Sequence, residues 1–127
     1  IYTSRGICVL VGTSYTFICG KCNYSVQTSG ETSSGMHYVV SPHICNDCRI
    51  ITDVAVGMFG QSYLRASFDN PKENKLPDFI IESKNEFYRC EDCNGDNIID
   101  WDSKLGECPK CDGKMILDKS IPALNWD

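Results

Sequence analysis

Four Cys-x-x-Cys pairs punctuate the chain, at Cys19–Cys22, Cys45–Cys48, Cys90–Cys93 and Cys108–Cys111, and any fold has to use all of them. Two thiols at this spacing can form a disulfide, act as a redox couple or supply half of a metal cage. A bond within such a pair closes a tight ring, and strained or exposed disulfides are labile or catalytic more often than structural. Four of them would be poor building material. A thioredoxin-like couple needs one pair beside a βαβ pattern, whereas the flanks here alternate apolar and polar residues in the two-residue period of strands. Metal binding needs four thiolates arranged tetrahedrally, and one Cys-x-x-Cys turn presents only two of them to an ion. Pairs of pairs are what that chemistry requires.

The spacing between pairs suggests which thiols share an ion. Between Cys22 and Cys45 lie 22 residues, and between Cys93 and Cys108 lie 14, on either side of the usual window of roughly 15–20. Sequential ligation is therefore expected: Cys19, Cys22, Cys45 and Cys48 on one ion, and Cys90, Cys93, Cys108 and Cys111 on the other. A cross-braced order, first pair with third and second with fourth, has to span the 41 residues between Cys48 and Cys90. That segment carries strands and a linker of its own, and short connections are the rule. In a metal knuckle the chain turns back so that backbone N–H groups face sulfur, which favours a residue tolerant of positive φ. Asn23, Asn94 and Asp112 follow three of the pairs, with Gly95 and Gly113 next after the last two. Arg49 departs from this pattern, so its turn is expected to be built differently.

Alternating residues place strands at Ser14–Cys19 and Asn23–Thr28, with Tyr15 and Phe17 on one side of the first and Tyr24 and Val26 on one side of the second. Thr28–Gly35 is rich in Ser, Thr and Gly and reads as a flexible tip. Met36–Ser41 reads as a strand stopped by Pro42, and Arg49–Val56 as another. Met58–Phe68 is ambiguous between strand and short helix, Asp69–Pro77 is a polar turn, and Asp78–Ile81 is a short strand candidate. The organisation predicted is residues 1–12 as a leader or extra strand, 13–66 as a first metal-bound unit, 67–85 as a linker with little regular structure, and 86–127 as a second unit and tail. Because the chain opens on Ile1 and not Met, Val11 can also be read as a start, with 1–10 as leader.

The segments FICGKCNYSV with SPHICNDC, and YRCEDCNG with ECPKCDGKM, resemble rubredoxin-type zinc ribbons, and the whole pattern is similar to small bacterial proteins that carry two ribbons in tandem. The resemblance runs from about Thr13 to the C-terminus. It implies a mainly β fold of two consecutive ribbons, each a pair of hairpins with a metal between two knuckles, and it implies no reaction. Two Zn2+ ions are the expected cofactors, although iron suits the same four-thiolate cages.

Other residues invite chemistry and are read blandly. His43, two residues before Cys45, is taken as a partly exposed loop histidine beside a complete four-cysteine set, and His37 is given no role. Cys8 has only Arg5 near it in sequence and is taken as a small buried or leader cysteine. The acidic run Glu91–Asp102 lacks the spacing of a calcium loop and reads as a solvated face. Trp101 and Trp126 are packing anchors or exposed contact residues. Charge bears on partners: the net charge is −5, and eight thiolates around two divalent ions would take it to about −9. Such a surface disfavours nucleic acid, and Tyr15, Phe17, Tyr24 and Tyr38, which could stack on bases, are also what so small a core must bury. No signal peptide or membrane span is visible. The function expected is a cytoplasmic, non-enzymatic zinc module that binds a protein partner, with iron electron transfer and nucleic-acid binding as the alternatives.

Overall fold

A computed structural model describes residues 12–34 and 37–126. Cys8, Arg5 and the leader expected over 1–10 lie outside the described residues, as does the side chain of Trp126. In chain order the strands are β1 (Gly12–Cys19), β2 (Ser25–Thr28), β3 (Ser33–Ser34), β4 (Tyr38–Cys45), β5 (Ile50–Met58), β6 (Gln61–Ser62), β7 (Ile98–Asp100), β8 (Met115–Leu117) and β9 (Leu124–Trp126). One short helix, α1 (Asp78–Glu82), and 3-10 turns at Arg65–Phe68 and Lys84–Glu86 lie between β6 and β7. The mainly β class expected from the alternation is what the chain forms.

Two antiparallel sheets are built on one plan. In the first, β1 is central, with β2 along one edge and the other edge divided between β8, opposite Phe17–Cys19, and β9, opposite Gly12–Ser14. In the second, β4 is central, with β5 along one edge, extended by β6. Its other edge is divided between β3, opposite Val39–Val40, and β7, opposite His43–Cys45. Each central strand runs into the first cysteine of a pair, turns through it into the neighbouring strand, and receives a three-residue strand that follows another pair. Cys19 thus lies opposite Met115, and Cys45 opposite Ile98.

This arrangement corrects the expected order of two consecutive units. The chain after residue 86 does not form a ribbon of its own: β7 completes the sheet of β4, and β8 the sheet of β1. Burial accounts for it. Ile98 packs with Val39, Cys45, Val54, Val56 and Cys90, while Met115 packs with Phe17, Cys19, Ile44, Ile51, Trp101 and Cys108. That second cluster draws on both sheets, so the sheets share one core. They also meet along β2 and β5, where Tyr24 Oη accepts a hydrogen bond from Ile51 N at 3.0 Å. The Asp53 carboxylate receives Thr28 Oγ1 at 2.6 Å, Ser29 Oγ at 2.9 Å and Ser29 N at 3.0 Å. Thr28 and Ser29, expected on a loose tip, are fully buried by these bonds.

Three local expectations also change. Pro42 does not end its strand, because β4 continues through it to Cys45. Its side of β4 falls in the gap between β3 and β7, where no ladder N–H is needed, and its carbonyl is taken by Trp101 N at 3.1 Å. Asp78–Glu82 is a helix and not a strand: Pro77 sets its start, Asp78 is an acid in its first turn, and Ile80 is its buried residue. The segment expected as a linker with little regular structure also carries a core, in which Leu76 and Ile80, with Phe87 just beyond it, pack against Tyr38, Ala55, Met58, Tyr63 and Phe68. Among the described residues no helix is long and apolar enough to cross a membrane.

Candidate metal centres

The eight paired cysteines gather into two groups of four: Cys19, Cys22, Cys108 and Cys111 in one, and Cys45, Cys48, Cys90 and Cys93 in the other. The first pair thus meets the fourth and the second meets the third. Neither the sequential sets expected from spacing, Cys19, Cys22, Cys45, Cys48 and Cys90, Cys93, Cys108, Cys111, nor the cross-braced order is formed. Connection length is too weak a constraint to prevent this pairing. Closure cost rises only by about 0.6 kcal/mol per doubling of loop length, so the step from 23 to 86 residues between Cys22 and its partner pair costs about 1.2 kcal/mol. Placing Ile98 and Met115 in the core outweighs that, since burying one such side chain contributes about 1.5–3 kcal/mol.

Sulfur positions suit a tetrahedral ion. A Zn–S distance of about 2.3 Å places the sulfurs of a tetrahedron about 3.8 Å apart. In the outer group, formed by the first and last pairs, Cys19 and Cys111 Sγ are 3.5 Å apart and Cys22 and Cys108 Sγ 3.7 Å. In the inner group Cys45 and Cys93 Sγ are 3.7 Å apart and Cys48 and Cys90 Sγ 4.0 Å. A disulfide requires about 2.05 Å, and all eight are free thiols.

The turns have the form of knuckles. Asn23 and Asn94 adopt the expected left-handed conformation, and so does Arg49, at φ 55°. The departure expected for Arg49 is not found: Arg49 N returns to Cys45 O at 2.8 Å just as Asn94 N returns to Cys90 O. The fourth turn is the different one, since Asp112 is not left-handed. Backbone N–H groups face sulfur throughout: Lys21 N and Cys22 N on Cys19 at 3.4 and 3.5 Å, Cys48 N on Cys45 at 3.4 Å, Gly95 N on Cys93 at 3.4 Å, and Gly113 N on Cys111 at 3.2 Å.

These donors divide the protons unequally. The N–H groups of Cys22 and Lys21 draw the Cys19 thiol down to about 6, despite burial. Burial opposes ionisation of Cys45, yet the N–H groups of Cys48 and Asp47 with the sulfurs of Cys90 and Cys93 bring it below the usual thiol range. Cys48 is pushed up to about 12, first by the Cys93 sulfur and then by burial. At Cys111 the Gly113 N–H favours the thiolate, but burial and the sulfurs of Cys19, Cys22 and Cys108 carry it up to about 12. In each cage one thiol is thus drawn toward the thiolate, Cys19 or Cys45, and another toward the protonated form, Cys111 or Cys48, a difference that a bound cation would override by favouring thiolates throughout.

Polar residues that spacing did not reveal clamp each pair of knuckles. Lys21 pairs with Asp112 across the outer group. Across the inner group Asn97 Nδ2 donates to Asp47 Oδ1 at 2.9 Å, and Asn46 Nδ2 to Asn97 Oδ1 at 3.2 Å. Close approach adds a constraint at Gly113, where a Cβ would meet Cys19 Sγ and Lys21 Cβ at 2.7 Å. Neither histidine joins a group. His43, expected on an exposed loop, is buried in β4, with Nδ1 on Ser41 O at 2.9 Å and Nε2 on Asp100 Oδ1 at 3.0 Å. His37 is exposed, its ring edge-on to Phe59. Trp101 is a packing anchor, buried and edge-on to Phe17 with centroids 5.2 Å apart.

Fold and site together define a mainly β protein with two four-cysteine groups that could each hold a metal ion, consistent with zinc-ribbon-like sites. No protein-family model, curated protein or solved structure matches the chain.

Proposed function

We propose that the chain is a structural zinc protein, holding one Zn2+ in each four-cysteine group and serving as a non-enzymatic module that binds a protein partner. The sulfur geometry carries this reading: two sets of four free thiols, the sulfurs of each set within 4.8 Å of one another and set in knuckle turns. Four thiolates complete the coordination of a structural zinc and leave no open position for a substrate or water. The ring nitrogens of His43 are both engaged already. The aromatic side chains that could have stacked on bases are drawn inward: Phe17 is buried, and Tyr15, Tyr24 and Tyr38 pack against the cores. A protein partner is favoured by apolar residues left on the outer face of the first sheet, where Ile116 and Leu124 are about half exposed.

Metal analysis of natively purified, colourless protein should return two zinc ions per chain; metal-free but fully folded protein would overturn the reading. One observation favours a second reading. Cys22 and Cys93 are exposed, so each cage has a sulfur at the surface through which an iron centre could exchange electrons, as the likeness to rubredoxins implies. A red protein with a reducible visible band would decide for iron.

A further inference from the structure

We infer that the two metal groups are coupled, so that an ion in the inner group, Cys45, Cys48, Cys90 and Cys93, strengthens binding at the outer group, Cys19, Cys22, Cys108 and Cys111, and the reverse. This rests on the metal-binding reading above and adds to it an order and a cooperativity. Two independent features carry it. One is nesting. The inner pairs are separated by 42 residues and the outer pairs by 86, so the inner loop closes first by a factor of about three. Once it is closed, the path between the outer pairs shortens to about 40 residues across the inner ion, which favours outer closure by about threefold again.

The other feature is a set of contacts that link the knuckles of one group to those of the other. Arg49, the residue after Cys48, donates from Nη2 to the carbonyl of Lys110, inside the Cys108–Cys111 pair, at 3.1 Å. Lys110 Nζ lies 5.1 Å from the centre of the Tyr24 ring, two residues after Cys22, and the Tyr24 hydroxyl accepts from Ile51 N at 3.0 Å. Trp101 N binds Pro42 O on the inner side, while Trp101 Nε1 donates to Glu107 O, beside Cys108, at 2.8 Å. These contacts tie the knuckles of one group to those of the other, so that an ion fixing one set of knuckles also restricts its neighbours. Binding at one group therefore prepares part of the frame of the other, and by linkage the benefit is reciprocal.

Native mass spectrometry of the reduced, metal-free full chain, titrated with Zn2+ in a competing chelator buffer, reads the coupling directly. Independent sites leave half or more of the chains with a single ion at one ion per chain, whereas tenfold coupling between sites of similar affinity leaves about one quarter. The expected result is one quarter or less. Arg49→Asn removes the guanidinium but keeps a residue that tolerates positive φ, and Tyr24→Phe removes the hydroxyl. Both variants should still take up two ions, with the one-ion fraction rising. Two ions bound with half or more of the chains in the one-ion form would overturn the coupling alone, and no rise in either variant would overturn the contact route. A chain that takes up no zinc would overturn the metal reading and the coupling with it.

Discussion

The inner and outer cysteine groups use the same ligands and the same central-strand plan, yet they are held differently. At the inner group both turns carry a left-handed residue, Arg49 and Asn94, and the clamp is made of neutral amides and one carboxylate, through Asn46, Asp47 and Asn97. At the outer group only the Asn23 turn is left-handed; the other relies on Gly113 lying against Cys19 and on the Lys21–Asp112 pair. The inner group is covered mainly by residues of its own sheet, the outer by a cluster that includes Ile44 and Ile51 of the other sheet. The outer group thus depends on the inner half of the fold more than the inner depends on it. A knuckle is set by local turn chemistry, but a cage is set by whatever sheet brings two knuckles together.

The largest effect should come from removing the ions. A structural zinc site contributes about 10–16 kcal/mol, as much as or more than the whole stability of a small domain, so chelation should abolish the native circular dichroism; an unchanged spectrum would show that the cages are incidental. Trp101→Ala should cost about 3–5 kcal/mol in a urea titration, because that side chain sits in the cluster shared by the two sheets. A loss under about 1 kcal/mol would mean that the sheets do not depend on their common cluster. Gly113→Ala should cost about 1–3 kcal/mol, by forcing backbone shifts at the outer cage. Gly95→Ala, whose Cβ would meet Cys93 Sγ at 3.2 Å, should cost under about 1 kcal/mol. Equal costs would erase the contrast between the two groups. Smallest of all, Lys21→Ala should lower stability by about 0.2–1 kcal/mol and lose even that in high salt, since the side chains of the pair are 63% and 82% exposed.

Much of this was written in the sequence, and the omissions have physical causes. The paired spacing identified the eight cysteines that gather into two groups, and alternation located β1, β4 and β5, because faces and turns are local properties. Which knuckles meet is not local. It depends on β7 and β8, three-residue strands whose single core residues, Ile98 and Met115, look alike in the sequence and declare their sheets only through the clusters they enter. Asp78–Glu82 was too short for a helical period to show. Pro42 reads as a strand breaker unless one knows that its side of β4 falls in the gap between β3 and β7. His43 looked like a loop residue because its partner, Asp100, arrives from β7, and nothing near either residue announces the other.

The most direct test of the nested pairing is the pattern of scalar couplings between bound 113Cd and the cysteine β protons in protein reconstituted with that isotope. One cadmium resonance should connect to Cys19, Cys22, Cys108 and Cys111 and the other to Cys45, Cys48, Cys90 and Cys93. A resonance that connects Cys19 and Cys22 with Cys45 and Cys48 would contradict the account.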